Sequence, residues 1–206
     1  MKKILFFLLA VLLSFPVFAR DFEYTYKDQT LTYTVLDEDA KTVETKSGYF
    51  PSAGNNVSGV LEIPSKVSYG NEIFTVTSIG DYAFLDCSGL TSVTIPESVT
   101  AIGDYAFGWS GLNSVTIPES VTRIGDCAFV ECSGLIRAEF ASVESLCSIR
   151  FYNIWATPLS YAKKLFIGGK EIKELIIPES VTSIGDYVVY GCSGLPSVTI
   201  PEAVTS

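Results

Sequence analysis

The chain reads "LTSVTIPESVTAIGDYAF" from Leu90 to Phe107 and then "LNSVTIPESVTRIGDCAF" from Leu112 to Phe129, one pattern stated twice 22 residues apart. The pattern extends beyond these two copies. Ile-Pro stands at Ile63-Pro64, Ile95-Pro96, Ile117-Pro118, Ile177-Pro178 and Ile200-Pro201, and Gly-Asp follows at Gly80, Gly103, Gly125 and Gly185. Ser-Gly-Leu closes the unit at Leu90, Leu112, Leu135 and Leu195. A fixed period of 22 to 23 residues is the mark of a solenoid, in which each coil supplies the surface the next one packs on.

Each part of the unit has a physical task. Leu90, Val93 and Ile95 alternate so that Val93 and Ile95 turn inward and Ser92 and Thr94 outward on a short strand. Pro96 has no N–H for a ladder and stops it. Val99 and Ile102 anchor the next side, Gly103 permits a bend, and Asp104 is read as the cap of a short helical turn holding Ala106 and Phe107. Coil two is one residue short, with Trp109 read in place of the usual cysteine.

Composition removes several chemistries. The chain has no histidine, which rules out a Ser-His-Asp triad, a Cys-His dyad and any histidine-ligated metal. The five cysteines are odd in number and form no Cys-x-x-Cys pair, so neither a disulfide scaffold nor a zinc site is expected, and the Cys87, Cys132 and Cys192 column reads as buried free thiols. No metal and no cofactor is implied. Residues 1–19, with Lys2 and Lys3 before an apolar run and Val17 and Ala19 before a cut, read as a secretory signal cleaved after Ala19. The 14 Lys+Arg less Lys2 and Lys3 leave 12 against 23 Asp+Glu, about −11, a poor match for nucleic-acid phosphates. No stretch beyond the signal is long and apolar enough to span a bilayer.

Two regions depart from the unit. Residues 20–60 alternate in short runs ("FEYTY", "LTYTVL", "KTVETK") separated by breakers at Lys27-Asp28-Gln29, Asp37-Glu38-Asp39 and Gly54-Asn55-Asn56, which predicts a β-rich cap over the first coil. A hairpin is expected around Tyr69-Gly70-Asn71-Glu72. Residues 142–171 read as an irregular insertion that opens with a short helix N-capped by Ser142 and carries a Gly168-Gly169 turn. Arg150, Lys163, Lys164, Lys170 and Lys173 put five of the 12 positive charges within 24 residues there.

The unit "LxxVTIPESVTxIGDYAFxxCSG" resembles the BspA-type leucine-rich repeat of bacterial and protist surface proteins, and the resemblance covers residues 61–206. It implies a leucine-rich-repeat solenoid, mainly β with short helical turns, of about five to six coils behind an N-terminal β cap. It also implies a secreted or cell-surface binding protein, in some members an adhesin, without catalytic residues.

On that fold the outward strand positions Ser92, Thr94, Ser114, Thr116, Ser197 and Thr199, interrupted by Arg137, Glu139 and Glu174, form the candidate binding face on the concave side. The alternative is that they are soluble, β-compatible filler. A second candidate patch is Arg150, Tyr152, Trp155, Lys163 and Lys164 in the insertion, against the alternative that its aromatics fill a widened coil. The Glu97, Glu119, Glu179 and Glu202 column reads as a solvated edge. The expected partner is an extracellular protein or glycan. Two other functions stand beside this one: a secreted carbohydrate-active enzyme with paired carboxylates, and a fragment of a larger surface protein without a role of its own. The five strands near 92–95, 114–117, 137–140, 174–177 and 197–200 are expected to form one parallel sheet, with its last edge open to self-association.

Overall fold

The computed structural model describes residues 20–46 and 57–205; the expected signal segment and the turn at residues 54–56 lie outside the described residues. Six strands come first: β1 (Asp21–Tyr26), β2 (Gln29–Asp37), β3 (Thr42–Lys46), β4 (Gly59–Glu62), β5 (Lys66–Tyr69) and β6 (Glu72–Ile79). Paired strands then mark the coils: β7 (Leu90–Thr94) with β8 (Ala101–Ile102), β9 (Ser114–Ile117) with β10 (Arg123–Ile124), and β11 (Arg137–Phe140) with β12 (Arg150–Phe151), α1 (Val143–Ser148) lying between the last two. The chain continues through β13 (Lys164–Ile167), β14 (Lys170–Glu171), β15 (Glu174–Ile176) and β16 (Ser197–Thr199).

Stacking gives every regular coil three hydrogen-bonded sides. The first sheet runs β4, β7, β9, β11, β13, all parallel, with β14 antiparallel on its edge. The second runs β6, β8, β10, β12 and continues backward through β3, β2 and β1. The third side is a ladder of turns: Tyr82, Phe84 and Asp86 donate their N–H groups to the carbonyls of Asp104, Ala106 and Gly108 at 2.7–2.9 Å, and Tyr105, Phe107 and Trp109 repeat this onto Asp126, Ala128 and Val130. Inside, Phe84, Phe107 and Phe129 are fully buried and stack at 5.4 and 5.3 Å between centroids, within 16° of parallel. The architecture is a β-solenoid of about five turns with little helix.

The N-terminal strands extend the second sheet: β1, β2 and β3 form an antiparallel meander, and β3 pairs in parallel with β6. Phe22, Tyr33 and Phe74 pack beneath it. The Tyr69–Glu72 hairpin forms as the dipeptide Gly70-Asn71 predicts, with Gly70 at φ 61°. Glu44 of β3 is half buried at the junction with the first coil, and burial, reinforced by the nearby Asp81 carboxylate, pushes its pKa up. A raised carboxyl pKa favours the protonated folded state, so this contribution is complete below the unfolded pKa and is lost as pH rises through the folded one. Glu44→Gln should therefore equal the parent in stability at acid pH and exceed it at pH 7. Equal melting temperatures at both would count against this environment.

Several expectations are corrected. Glu174–Ile176 does not lie beside Arg137–Phe140; Lys164–Ile167 does, in register from Arg137↔Lys164 to Phe140↔Ile167. The segment read as an irregular insertion thus carries a coil of its own, with β12 in the second sheet and β13 in the first. Its corner uses α1 where three other coils use Pro-Glu-Ser; Ser142 caps it and is capped in return by Ser145. The β14 hairpin then occupies the edge of β13, and β15 pairs only with β16, in a separate parallel sheet.

The aspartate column does not cap helices. Asp81 Oδ1 accepts the N–H of Asp104 at 2.8 Å, and Asp104 Oδ1 accepts that of Asp126 at 2.7 Å, so each carboxylate ties its coil to the next. The following residues Tyr82, Tyr105 and Cys127 take left-handed φ of 52–58°, giving a turn. Gly103 is required by space: a Cβ there would meet the backbone N of Asp81 at 2.6 Å. Trp109, at φ 53°, stands in the column of Asp86 and Glu131, and it is Ser110 that replaces the cysteine, its hydroxyl 3.4 Å from Cys132 Sγ.

Candidate functional site

The inward side chains of the first sheet leave two rows of neighbours on its outer face. One runs Val60, Ser92, Ser114, Arg137, Lys164, and the other Glu62, Thr94, Thr116, Glu139, Phe166. Alternation produces them: Leu61, Val93, Val115, Ala138 and Leu165 are all buried between the rows. The hydroxyls in the middle are flanked by charge. At one end Lys27 pairs with Glu62, which also accepts from Tyr26. At the other Arg137 pairs with Glu139 and lays its guanidinium 3.7 Å from the Phe166 ring centroid, while Lys164 and Lys173 hold Glu171. The hydrogen bond from Lys173, with help from Lys164, keeps the Glu171 pKa below the ordinary glutamate value.

The predicted site residues are therefore divided. Ser92, Thr94, Ser114, Thr116, Arg137 and Glu139 share one face. Glu174, Ser197 and Thr199 belong to the separate β15–β16 sheet and do not continue it. Lys164 leaves its expected patch and joins the first-sheet row, whereas Arg150 lies on the second sheet beside Arg123. Tyr152 and Trp155 follow β12, and Trp155 offers its carbonyl to Phe129 on the turn side. The expected basic and aromatic patch is thus spread over different sides of one coil. Sequence reading missed Phe166 and Glu171 and noted Lys173 only within the basic run; for Phe166, "KLFI", alternating like "RAEF", was the available signal.

Other candidates have structural partners. All five cysteines are thiols outside any disulfide, and four are buried. Burial pushes Cys132 up to about 11, a thiol unsuited to nucleophilic work near neutral pH. Glu97, Glu119, Glu179 and Glu202 are exposed along one edge. Among the described residues, no group of three or more cysteine, aspartate or glutamate side chains is placed to hold a metal, and no helix is long and apolar enough to cross a membrane.

The chain matches the BspA type leucine rich repeat region in six copies, over residues 65–165 and 160–206. It belongs to the BspA-type leucine-rich-repeat family. Solved structures agree with that assignment. A leucine rich cell surface protein of Faecalibacterium prausnitzii is 28% identical with a TM-score of 0.53, over 89% of this chain and 44% of that one. A leucine-rich repeat protein of Bacteroides ovatus is 30% identical with a TM-score of 0.53, over 87% and 42%. One from Bacteroides capillosus is 25% identical with a TM-score of 0.51, over 66% and 93%. This BspA-type chain spans less than half the length of the first two. No curated protein matches it.

Proposed function

We propose that this BspA-type chain is an extracytoplasmic binding module of the adhesion type, holding an extracellular protein or glycan against the outer face of its first sheet. The segment at residues 1–19 would deliver it, and cleavage would follow Ala19. One observation carries the reading: a hydroxyl-lined face that ends in a cluster of the part-buried Arg137, Glu139 and Phe166 with the exposed Lys164. Arginine stacked on an aromatic ring, beside hydroxyls, is the composition of an interface centre rather than of solvated filler. A non-catalytic role is supported by the repeat-column acids, since Asp81 and Asp104 are committed to backbone bonds and the glutamate column is solvent-facing.

A glycan and matrix-protein array probed with the chain identifies the partner, and Arg137→Ala with Glu139→Ala tests the face. The pair of substitutions should weaken binding by about tenfold or more, equivalent to roughly 1.4 kcal/mol, without shifting the unfolding midpoint. Unchanged affinity would remove the first sheet from consideration.

A further inference from the structure

A second binding site stands on the other sheet, and a break in the glycine column builds it. In successive coils the residue after the second-sheet strand donates its N–H to the coil before: Gly103 to Ile79 and Gly125 to Ile102, both at 2.8 Å, and Tyr152 to Ile124 at 3.2 Å. Tyr152 thus occupies a glycine position. A Cβ at Gly125 would meet the Asp104 backbone N at 2.7 Å, so a tyrosine in this column cannot approach as closely. Asn153 spans the interval instead, its Nδ2 donating to Asp126 Oδ1 and its Oδ1 accepting from the Cys127 N–H.

The next coil does not return to the column. Gly185 donates to Cys147, four residues before Phe151, and residues 181–185 form no strand beside β12. A groove of about 760 Å³ opens between α1–β12 and Ser180–Asp186.

Its lining and the strand beside it have a definite chemistry. β10 and β12 turn Ile124 and Phe151 inward and Arg123 and Arg150 outward as register partners. Arg150 and Tyr152 line the groove, with the guanidinium 5.2 Å from a ring that is 58% exposed. Among the described residues, Arg20 and Arg137 hold carboxylates and this arginine pair holds none. Like charges on adjacent strands, about 5 Å apart, repel by only about 1 kcal/mol in water, so the pair stands without a ligand as the glutamate column does. Two unpaired guanidinium groups side by side remain free to share one anion. Glu144, hydrogen-bonded to Ser180, and Asp186 face the same groove, so a uniformly anionic polymer is disfavoured while sugar hydroxyls find acceptors.

We infer that this groove binds an oligosaccharide carrying an isolated carboxylate or sulfate, the anion held at the groove's rim between Arg150, which lines it, and Arg123 on the neighbouring strand outside it, with an adjoining sugar ring laid on Tyr152. Guanidinium groups clasp such oxyanions through two parallel hydrogen bonds, and the tyrosine ring takes the C–H face of a pyranose. A peptide is the weaker fit, because the two-residue β12 edge offers little ladder for an added strand. The site is independent of the first-sheet face.

Calorimetric titration of the full chain with a tetrasaccharide carrying one uronic acid, its singly sulfated counterpart, the neutral tetrasaccharide and a glutamate-rich peptide tests this. Binding of either acidic sugar in preference to the neutral one is expected, and the tighter of the two names the anion. Arg123→Ala with Arg150→Ala should lower that affinity at least about tenfold, and Arg137→Ala should leave it unchanged. Because both arginines are exposed, the unfolding midpoint of the double variant should not fall. Equal binding of the neutral sugar, tighter binding of the peptide, no binding at all, or full affinity in the double variant would overturn the inference.

Discussion

Replacing Phe107 with alanine is expected to destabilise the chain by about 3–5 kcal/mol. Its ring is fully buried and lies between Phe84 and Phe129, each 5.3–5.4 Å away, so truncation opens a void that both neighbours face. A globular core could fill such a void from several directions. A solenoid coil touches only the coils before and after it, and the backbone of both is held by three ladders, so collapse is restricted. Losing the central contact should also uncouple the two ends of the stack. Urea unfolding followed by the fluorescence of Trp109 and Trp155, which sit in different coils, should show a lower midpoint and a broader transition. A cost under about 1 kcal/mol would mean that the stack relaxes freely and that the aromatic column is not its core.

The second large effect concerns Gly103. An added Cβ would lie 2.6 Å from the Asp81 nitrogen and 2.8 Å from the Gly80 carbonyl carbon, and neither can rotate away as a side chain does. Gly103→Ala should therefore prise two coils apart, at roughly 1–3 kcal/mol. The Asp104 N–H bond to Asp81 and the Gly103 N–H bond to Ile79 cross the same gap and should be strained with it. Gly134→Ala is the control, because its Cβ would find its nearest neighbour at an ordinary 3.4 Å. Hydrogen exchange should show faster amide exchange at Gly103 and Asp104 in the first variant alone. Equal stability of the two variants would reject close coil approach as the reason for the glycine column.

The repeat columns made most of the coil legible. Inward Val93, Val115 and Ile102, the stop at Pro96, the Gly70-Asn71 hairpin and the Ser142 cap all follow from spacing or from local backbone chemistry, and all are found in the structure. Local rules sufficed because each concerns atoms a few residues apart. Coil four escaped them: its corner became α1, its glycine became Tyr152, and only the alternation of "KLFI" showed that Lys164–Ile167 is a strand of the first sheet.

The candidate sites were legible in part, for the same reason. Periodicity identified which side chains of a strand point outward, so Ser92, Thr94, Ser114, Thr116, Arg137 and Glu139 were found by sequence alone. Which strand lies next to which depends on backbone hydrogen bonds between coils, and those leave no mark on composition. Tertiary structure alone therefore brought Lys164 and Phe166 beside Arg137 and Glu139, set Glu174 apart behind the β14 hairpin, and placed Arg123 next to Arg150, which lines a groove. The sequence determined the coil and its inward face, because burial acts on each residue through its own side chain. The neighbours across the stack were decided only when every coil had to pair its backbone with the next.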